Sequence, residues 1–190
     1  IILVCGPTGS GKSTTLYSTL NKVYKPSLNI TTVEEPIEMV HEHFNQIAVQ
    51  SQIGVTFSSV LRNILRQDPD IIMIGEMRDR ETAATAIEAS LTGHLVLSTL
   101  HTNNAPETLT RLLDMGMNPL NISDSFLAVL AQRLVRRLCS ECIEIYHPGQ
   151  EEFDDIVADY GQEPFQRLGL EYTSAFELHR SLGCEKCNGS

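Results

Sequence analysis

The chain has 190 residues, 42% of them hydrophobic and 20% charged, which are ordinary proportions for a globular protein with a core of its own. Its formal net charge of −10 argues against nucleic acid as the main partner, because affinity for a phosphate backbone comes chiefly from Lys and Arg. No apolar run approaches the length of a membrane span, no signal peptide is read, and the five cysteines do not make a secreted disulfide framework.

The first element is a buried strand, Ile1–Cys5, in which Cys5 serves as a small apolar residue. It runs into Gly6-Pro-Thr-Gly-Ser-Gly-Lys-Ser13, which satisfies G-x-x-x-x-G-K-[ST], the phosphate-binding loop. Gly6, Gly9 and Gly11 let such a loop take positive φ and turn its amides toward phosphate oxygens. Lys12 supplies a point charge for the β- and γ-phosphates, and the Ser13 hydroxyl is placed to ligate Mg²⁺. Leu16, Leu20 and Val23 then recur at helical spacing, so a helix N-terminus adds its dipole to the same anion. Gly6, Thr8, Gly9, Ser10, Gly11, Lys12, Ser13 and Thr14 are the candidate nucleotide contacts, with ATP as the expected ligand.

Lys25-Pro-Ser breaks the helix, and the β-branched run Asn29–Val33 reads as a strand ending at Glu34-Glu35-Pro36. Residues 37–50 suggest a hairpin of short irregular strands. Phe57, Val60, Leu61, Ile64 and Leu65 mark an amphipathic helix, stopped by Asp68-Pro-Asp70. Ile71–Ile74 is a continuous apolar run of the doubly covered kind, ending in Gly75-Glu76. Asp79 is placed to cap a helix over Arg80–Leu91, and Leu95–Thr99 is a further buried strand flanked by His94 and His101. Helices are expected around Pro106–Met115 and Ile122–Leu138. Strand and helix alternate, so the expected architecture is α/β around a mostly parallel sheet.

In open α/β sheets ligands bind at the carboxyl ends of the strands, where Glu34, Glu35 and Glu76 fall. A hydrolytic site on this loop needs one acid to hold Mg²⁺ and one carboxylate to orient or deprotonate water. Glu76 suits the first role, alongside Ser13, and Glu34 the second; Glu34 and Glu35 point to opposite faces while the strand stays extended. By position alone His101 is the better phosphate sensor and His94 the more structural of the pair. Arg133, Arg136 and Arg137 read equally well as a solvated helix face or as a contact for an acidic neighbour.

Cys139-Ser-Glu-Cys142 and Cys184-Glu-Lys-Cys187 are two C-x-x-C knuckles with 41 residues between them. Four thiolates suit tetrahedral Zn²⁺; a redox pair or free thiols is the alternative. The excursion between the knuckles, residues 143–183, is strongly acidic, with nine Asp or Glu against two Arg. The expected organisation is a RecA-like core over 1–138 and a small zinc-binding subdomain over 139–190. The chain opens in a core strand and stops at Cys187-Asn-Gly-Ser, which reads as a fragment of a longer protein.

Four segments in order, Gly6–Ser13, Ile30–Glu38, Leu65–Asp79 and Thr92–Asn103, resemble the Walker A, Asp-box, Walker B and His-box motifs of the type II/type IV secretion-superfamily ATPases. The resemblance covers nearly the whole chain. One departure is Glu34-Glu35, where the family usually has Glu-Asp. The resemblance implies that Glu34 is the catalytic carboxylate, Glu76 the Walker B acid, and His94 with His101 a relay to the γ-phosphate. It also implies a tetracysteine zinc element of the kind carried by secretion and pilus-extension members. Its further implications are a homo-hexamer, and ATP hydrolysis that powers pseudopilus or pilus assembly at the cytoplasmic face of the inner membrane. Inner-membrane platform proteins and arginines from a preceding N-terminal domain would be partners, with Arg78 and Arg80 as inter-subunit contacts. No nucleic acid is expected. A nucleic-acid motor, or a nucleotide-binding module without turnover of its own, are the alternative readings.

Overall fold

A computed structural model describes residues 1–189. They divide into two compact units, one covering Ile1–Leu134 and the other running from Val135 onward.

The first unit is built on six parallel strands: β1 Ile2–Cys5, β2 Ile30–Glu34, β3 Asn45–Ala48, β4 Ile71–Ile74, β5 Leu95–Leu100 and β6 Ala128–Ala131, in the order β3-β2-β4-β5-β1-β6. Five helices accompany them: α1 Lys12–Val23, α2 Phe57–Ile64, α3 Arg80–Leu91, α4 Ala105–Asp114 and α5 Pro119–Ser125. Side chains alternate across the strands, so each central strand feeds two cores. Leu3, Val33, Ile72, Ile74, Val96 and Leu100 pack on one face with α2, α3 and α5. Val4, Ile30, Ile71, Met73 and Leu97 pack on the other with Leu16, Tyr17 and Leu20 of α1. Thr32 and Glu34 share the face of Ile30, two and four residues away, and therefore point toward α1. Leu16 and Leu20 are fully buried, and truncating either to Ala would cost about 2–5 kcal/mol.

Local signals hold where the sequence supplied them. The Asp79 carboxylate accepts the Thr82 N–H at 2.8 Å and caps α3. Thr56 and Ser59 form a reciprocal capping box that starts α2. Two expectations are corrected. Residues 37–50 form no hairpin; Asn45–Ala48 is one strand that pairs in parallel with β2, Thr31 opposite Asn45 and Glu34 opposite Ala48. The helix expected over Ile122–Leu138 ends at Ser125, and Ala128–Ala131 turns instead into an edge strand parallel to β1. A short apolar run such as Phe126–Ala131 suits either state, and the open edge of β1 decides it. Arg133, Arg136 and Arg137 consequently lie outside any helix.

The second unit has a two-stranded antiparallel sheet, β7 Ile143–Tyr146 with β8 Leu178–Ser181, and two helices, α6 Gln150–Tyr160 and α7 Gln162–Gln166. Its core is a small aromatic cluster in which Phe153 meets Phe165, Tyr172 and Phe176 edge-on at ring-centre distances of 5.5, 5.4 and 5.0 Å. Among the described residues no helix is long and apolar enough to cross a membrane.

Candidate nucleotide-binding and catalytic site

At the carboxyl edge of the six-stranded sheet lies a cleft of about 420 Å³. Its floor is the loop between β1 and α1, with Thr8, Gly9 and Gly11, and the first turn of α1, with Lys12, Ser13 and Thr14. Its wall comes from the ends of β2, β4 and β5, with Glu34, Glu35, Glu76, Thr99 and His101.

The loop is shaped to receive an anion. Gly9 and Gly11 take φ of +76° and +82°, and Gly11 serves as the N-cap of α1. A Cβ on Gly6 would lie 2.4 Å from the Gln132 carbonyl oxygen, so only glycine fits there. The Lys12 ammonium is nearly buried and donates to the Gly6 and Pro7 carbonyl oxygens, each at 3.0 Å. Burial lowers its pKa from the usual lysine value, and the Glu76 charge partly opposes that shift. The buried Ser10 hydroxyl has no hydrogen-bond partner among the described residues. A cation held inside a glycine loop, with an unspent hydroxyl beside it, is a chemistry that fits a polyphosphate.

A residue that the motif does not contain braces this loop. Gln132 directly follows β6 and reaches across from the other side of β1. Its amide donates to the Ser10 carbonyl oxygen at 2.6 Å and its side-chain oxygen accepts from the Thr15 hydroxyl at 2.7 Å.

Glu34 is 4% exposed and is held by three donors. Thr32 Oγ1 donates to Oε1 at 2.6 Å, and Gln46 Nε2 lies 3.3 Å from the same oxygen. The Tyr17 hydroxyl stands 2.7 Å from Oε1 and 2.6 Å from Oε2. Burial, reinforced by the Glu34 carboxylate, pushes the Tyr17 phenol well above its usual range, so it remains a donor. Glu35 points elsewhere, taking a 3.2 Å hydrogen bond from the Ser51 hydroxyl and a 3.2 Å ion pair from Arg78. Arg78 also pairs with Glu76, and that hydrogen bond raises its pKa above the ordinary arginine value. His101 Nε2 sits 3.5 Å from the other Glu76 oxygen. Ser13 and Glu76 line the same cleft and are the residues that would hold a divalent cation.

His94 is not brought to this cleft. It directly precedes β5, at the strand's opposite end, with Nδ1 2.9 Å from the Ala89 carbonyl oxygen and 3.2 Å from the Thr92 hydroxyl. Tyr17, Thr32, Gln46 and Gln132 were not found from sequence. Tyr17 lies inside an apolar helical stripe and Gln46 in a segment expected to pair otherwise, so no local pattern marks either.

In the second unit Cys139, Cys142, Cys184 and Cys187 gather so that all four sulfurs lie within 4.8 Å of one another. The two knuckles make matching turns, with Cys142 N–H donating to the Cys139 carbonyl oxygen at 3.3 Å and Cys187 N–H to the Cys184 oxygen at 3.2 Å. Sulfur separations of 3.8 Å recur for Cys139–Cys184, Cys142–Cys187 and Cys184–Cys187. A tetrahedron with metal–sulfur bonds of about 2.3 Å has edges of about 3.8 Å. The donor set fits a metal ion. Backbone hydrogen bonds at Cys184 and Gly189 pull the Cys187 thiol down to about 6, favouring the thiolate a metal needs.

Fold and cleft together define a RecA-like P-loop α/β core. The chain belongs to the Type II/IV secretion system protein family, whose model matches residues 1–190. It is 50% identical over 188 residues to Type II secretion system protein E of Pseudomonas aeruginosa, covering 99% of this chain and 35% of that protein. It is 48% identical over 189 residues to the type IV pilus assembly ATPase TfpB of Acinetobacter baylyi, covering 98% of this chain and 30% of that protein. Among solved structures, the pilus retraction motor PilT with bound ADP superposes with a TM-score of 0.62 at 37% identity, over 88% of this chain and 52% of that one. The Legionella pneumophila ATPase DotB gives 0.61 at 33%, over 70% and 40%. The chain thus spans about a third of the length of the curated relatives it matches.

Proposed function

We propose that this chain is the catalytic core of an ATPase that powers assembly of a type II secretion pseudopilus or a type IV pilus. The observation that carries the reading is the convergence of Lys12, Glu34 and Glu76 on one cleft, in a chain whose relatives are named for those machines. The chemistry is phosphoryl transfer from ATP to water. Lys12 and the amides from Gly9 to Thr14 bind the β- and γ-phosphates and hold negative charge as it develops on the transferring group. Mg²⁺ held by Ser13 and Glu76 would supply further charge neutralisation there. Glu34 orients the attacking water and takes its proton. His101, beside Glu76, reads the state of the γ-phosphate; His94, which contacts Ala89 and Thr92 outside the cleft, would join that relay only through β5 itself.

The four cysteines of the C-terminal subdomain, 139–190, would hold a structural Zn²⁺, because a full set of four thiolates leaves no open position for substrate. The working form would be a homo-hexamer, completed by a preceding N-terminal domain of the same chain. It would act with platform proteins at the cytoplasmic face of the inner membrane.

The test is ATP turnover by the full-length protein, wild type beside Glu34→Gln, with metal counted on the same samples. The variant should bind nucleotide normally and lose about 10²- to 10⁴-fold in kcat, the usual contribution of a positioned base. Turnover that survives the substitution, or a wild-type rate that needs nucleic acid and falls with salt, would overturn the reading.

A further inference from the structure

The buried surroundings of Glu34 do more than shield it. Its two oxygens are not equivalent. Oε1 receives Thr32, Tyr17 and Gln46, whereas Oε2 receives only the Tyr17 hydroxyl among the described residues. The Thr32 proton is committed to Oε1, while the single Tyr17 proton and the two Gln46 amide protons are shared among several acceptors, so Oε1 is the more heavily bonded oxygen and Oε2 keeps an open lone-pair site. Tyr17 carries a single proton and stands against both oxygens, which fixes the rotation of the carboxylate plane.

Tyr17 is itself held in place. Its ring is 2% exposed and stacks on His41 at 5.0 Å and on Phe44 at 6.5 Å. Gln46 donates to the Tyr17 hydroxyl at 2.9 Å and to the Met39 carbonyl oxygen at 2.8 Å, while its own oxygen accepts the His41 N–H at 2.6 Å. The segment from Met39 to Gln46 thus ties β3, α1 and the end of β2 into one hydrogen-bonded block, with the carboxylate at its centre.

From this geometry we propose that Tyr17 is a positioning residue for hydrolysis: it locks the Glu34 carboxylate so that Oε1 is an anchor and Oε2 is the oxygen that meets the attacking water. The proposal rests on the reading of Glu34 as the base. Tyr17 lies on the buried face of α1 and does not line the cleft, so it acts on the water step and leaves nucleotide affinity alone. Misplacing a reacting group by about 1 Å costs on the order of a hundredfold in rate, and loss of one donor from a three-donor clamp falls at or below that bound.

The experiment compares full-length Tyr17→Phe, which keeps the ring and removes the hydroxyl, with wild type. The result expected is a kcat lower by about 10- to 100-fold with KM and the Kd for ADP within about twofold. In a Glu34→Gln background the same change should lower the residual rate no further, because the two residues act as a unit. A kcat for Tyr17→Phe within twofold of wild type overturns the proposal, and so does a further tenfold loss on top of Glu34→Gln, since a merely structural tyrosine would add independently. If Tyr17→Phe does not fold, Thr32→Val decides in its place by removing the other short bond to Oε1, under the same outcomes. Failure of the underlying reading looks different: there Glu34→Gln itself retains turnover.

Discussion

Gln132 offers the sharpest test of how the phosphate loop is held. Gln132→Met keeps the length and bulk of the side chain while deleting both of its bonds, the 2.6 Å donation to Ser10 and the 2.7 Å acceptance from Thr15. Each such bond contributes about 0.5–1.5 kcal/mol net, so about 1–3 kcal/mol of loop order is removed. Neither bonded atom belongs to the set that would touch phosphate, so the loss is one of preorganisation. If ordering the loop falls to the ligand, the Kd for a fluorescent ADP analogue should rise about 5- to 150-fold. Thr15→Val deletes one bond of the two and should raise Kd by about 2- to 12-fold, half the effect on a logarithmic scale. Fluorescence anisotropy on the full-length protein measures both. A Gln132→Met protein with wild-type Kd would refute the bracing argument. So would an effect of Thr15→Val that adds in full to that of Gln132→Met, because the two changes break the same bond.

Gly6→Ala should destabilise as well as disable, since the new methyl meets a backbone oxygen at 2.4 Å and the backbone keeps a φ of +148°. Strain of that kind costs about 1–3 kcal/mol, and a melting midpoint equal to wild type would contradict it. Cys184→Ser should take bound metal from about one ion per chain toward none, and should speed amide hydrogen exchange over 135–189 while leaving β1, β4 and β5 protected. Uniform loss of protection in both units would show that the cysteine site is not a local staple. Because hydrogen bonding draws the Cys187 thiol down while its neighbour Cys184 is pushed up, the pair holds one thiolate more readily than two, and metal uptake there should release fewer than four protons per ion. Calorimetry in two buffers of different ionisation enthalpy reads that number, and four protons at pH 7 would rule the depressed thiol out.

What was legible in the sequence was what neighbouring residues decide. The glycine loop needs particular φ values at particular positions, so its residue types announce it. Asp79 caps the helix that begins one residue later. Glu34 and Glu76 were legible because one ends a β-branched run and the other follows a continuous apolar run, and strands of those kinds end at the ligand edge of such a sheet. The misread segments were those whose conformation depends on a distant strand. Phe126–Ala131 has no inherent reason to prefer strand over helix until β1 offers an unpaired edge. Asn45–Ala48 is polar and short, and becomes a strand because β2 lies beside it. The supporting residues of the site share that fate: Tyr17 and Glu34 are 17 residues apart, Thr15 and Gln132 are 117, and only the sheet order brings them together. Arg78, a candidate for contact between subunits, pairs within the chain with Glu35 and Glu76, partners that lie 43 and two residues away.

The edge strand β6 has a consequence for how load travels. It bonds to β1 along its full length, Ile2 opposite Ala128 through Cys5 opposite Ala131, and delivers Gln132 to the loop at its last step. Three residues later the chain passes into the second unit, at Val135. The polypeptide that leaves the first unit is therefore the polypeptide that clasps Ser10 and Thr15, with no slack of its own between clasp and exit. Going back from residue 135, the chain is held first by the Arg133 side chain on the Asn103 carbonyl oxygen, then by the Gln132 N–H on Cys5 and the Gln132 amide on Ser10. The clasp on the glycine loop and the tether to the second unit are two ends of one short strap.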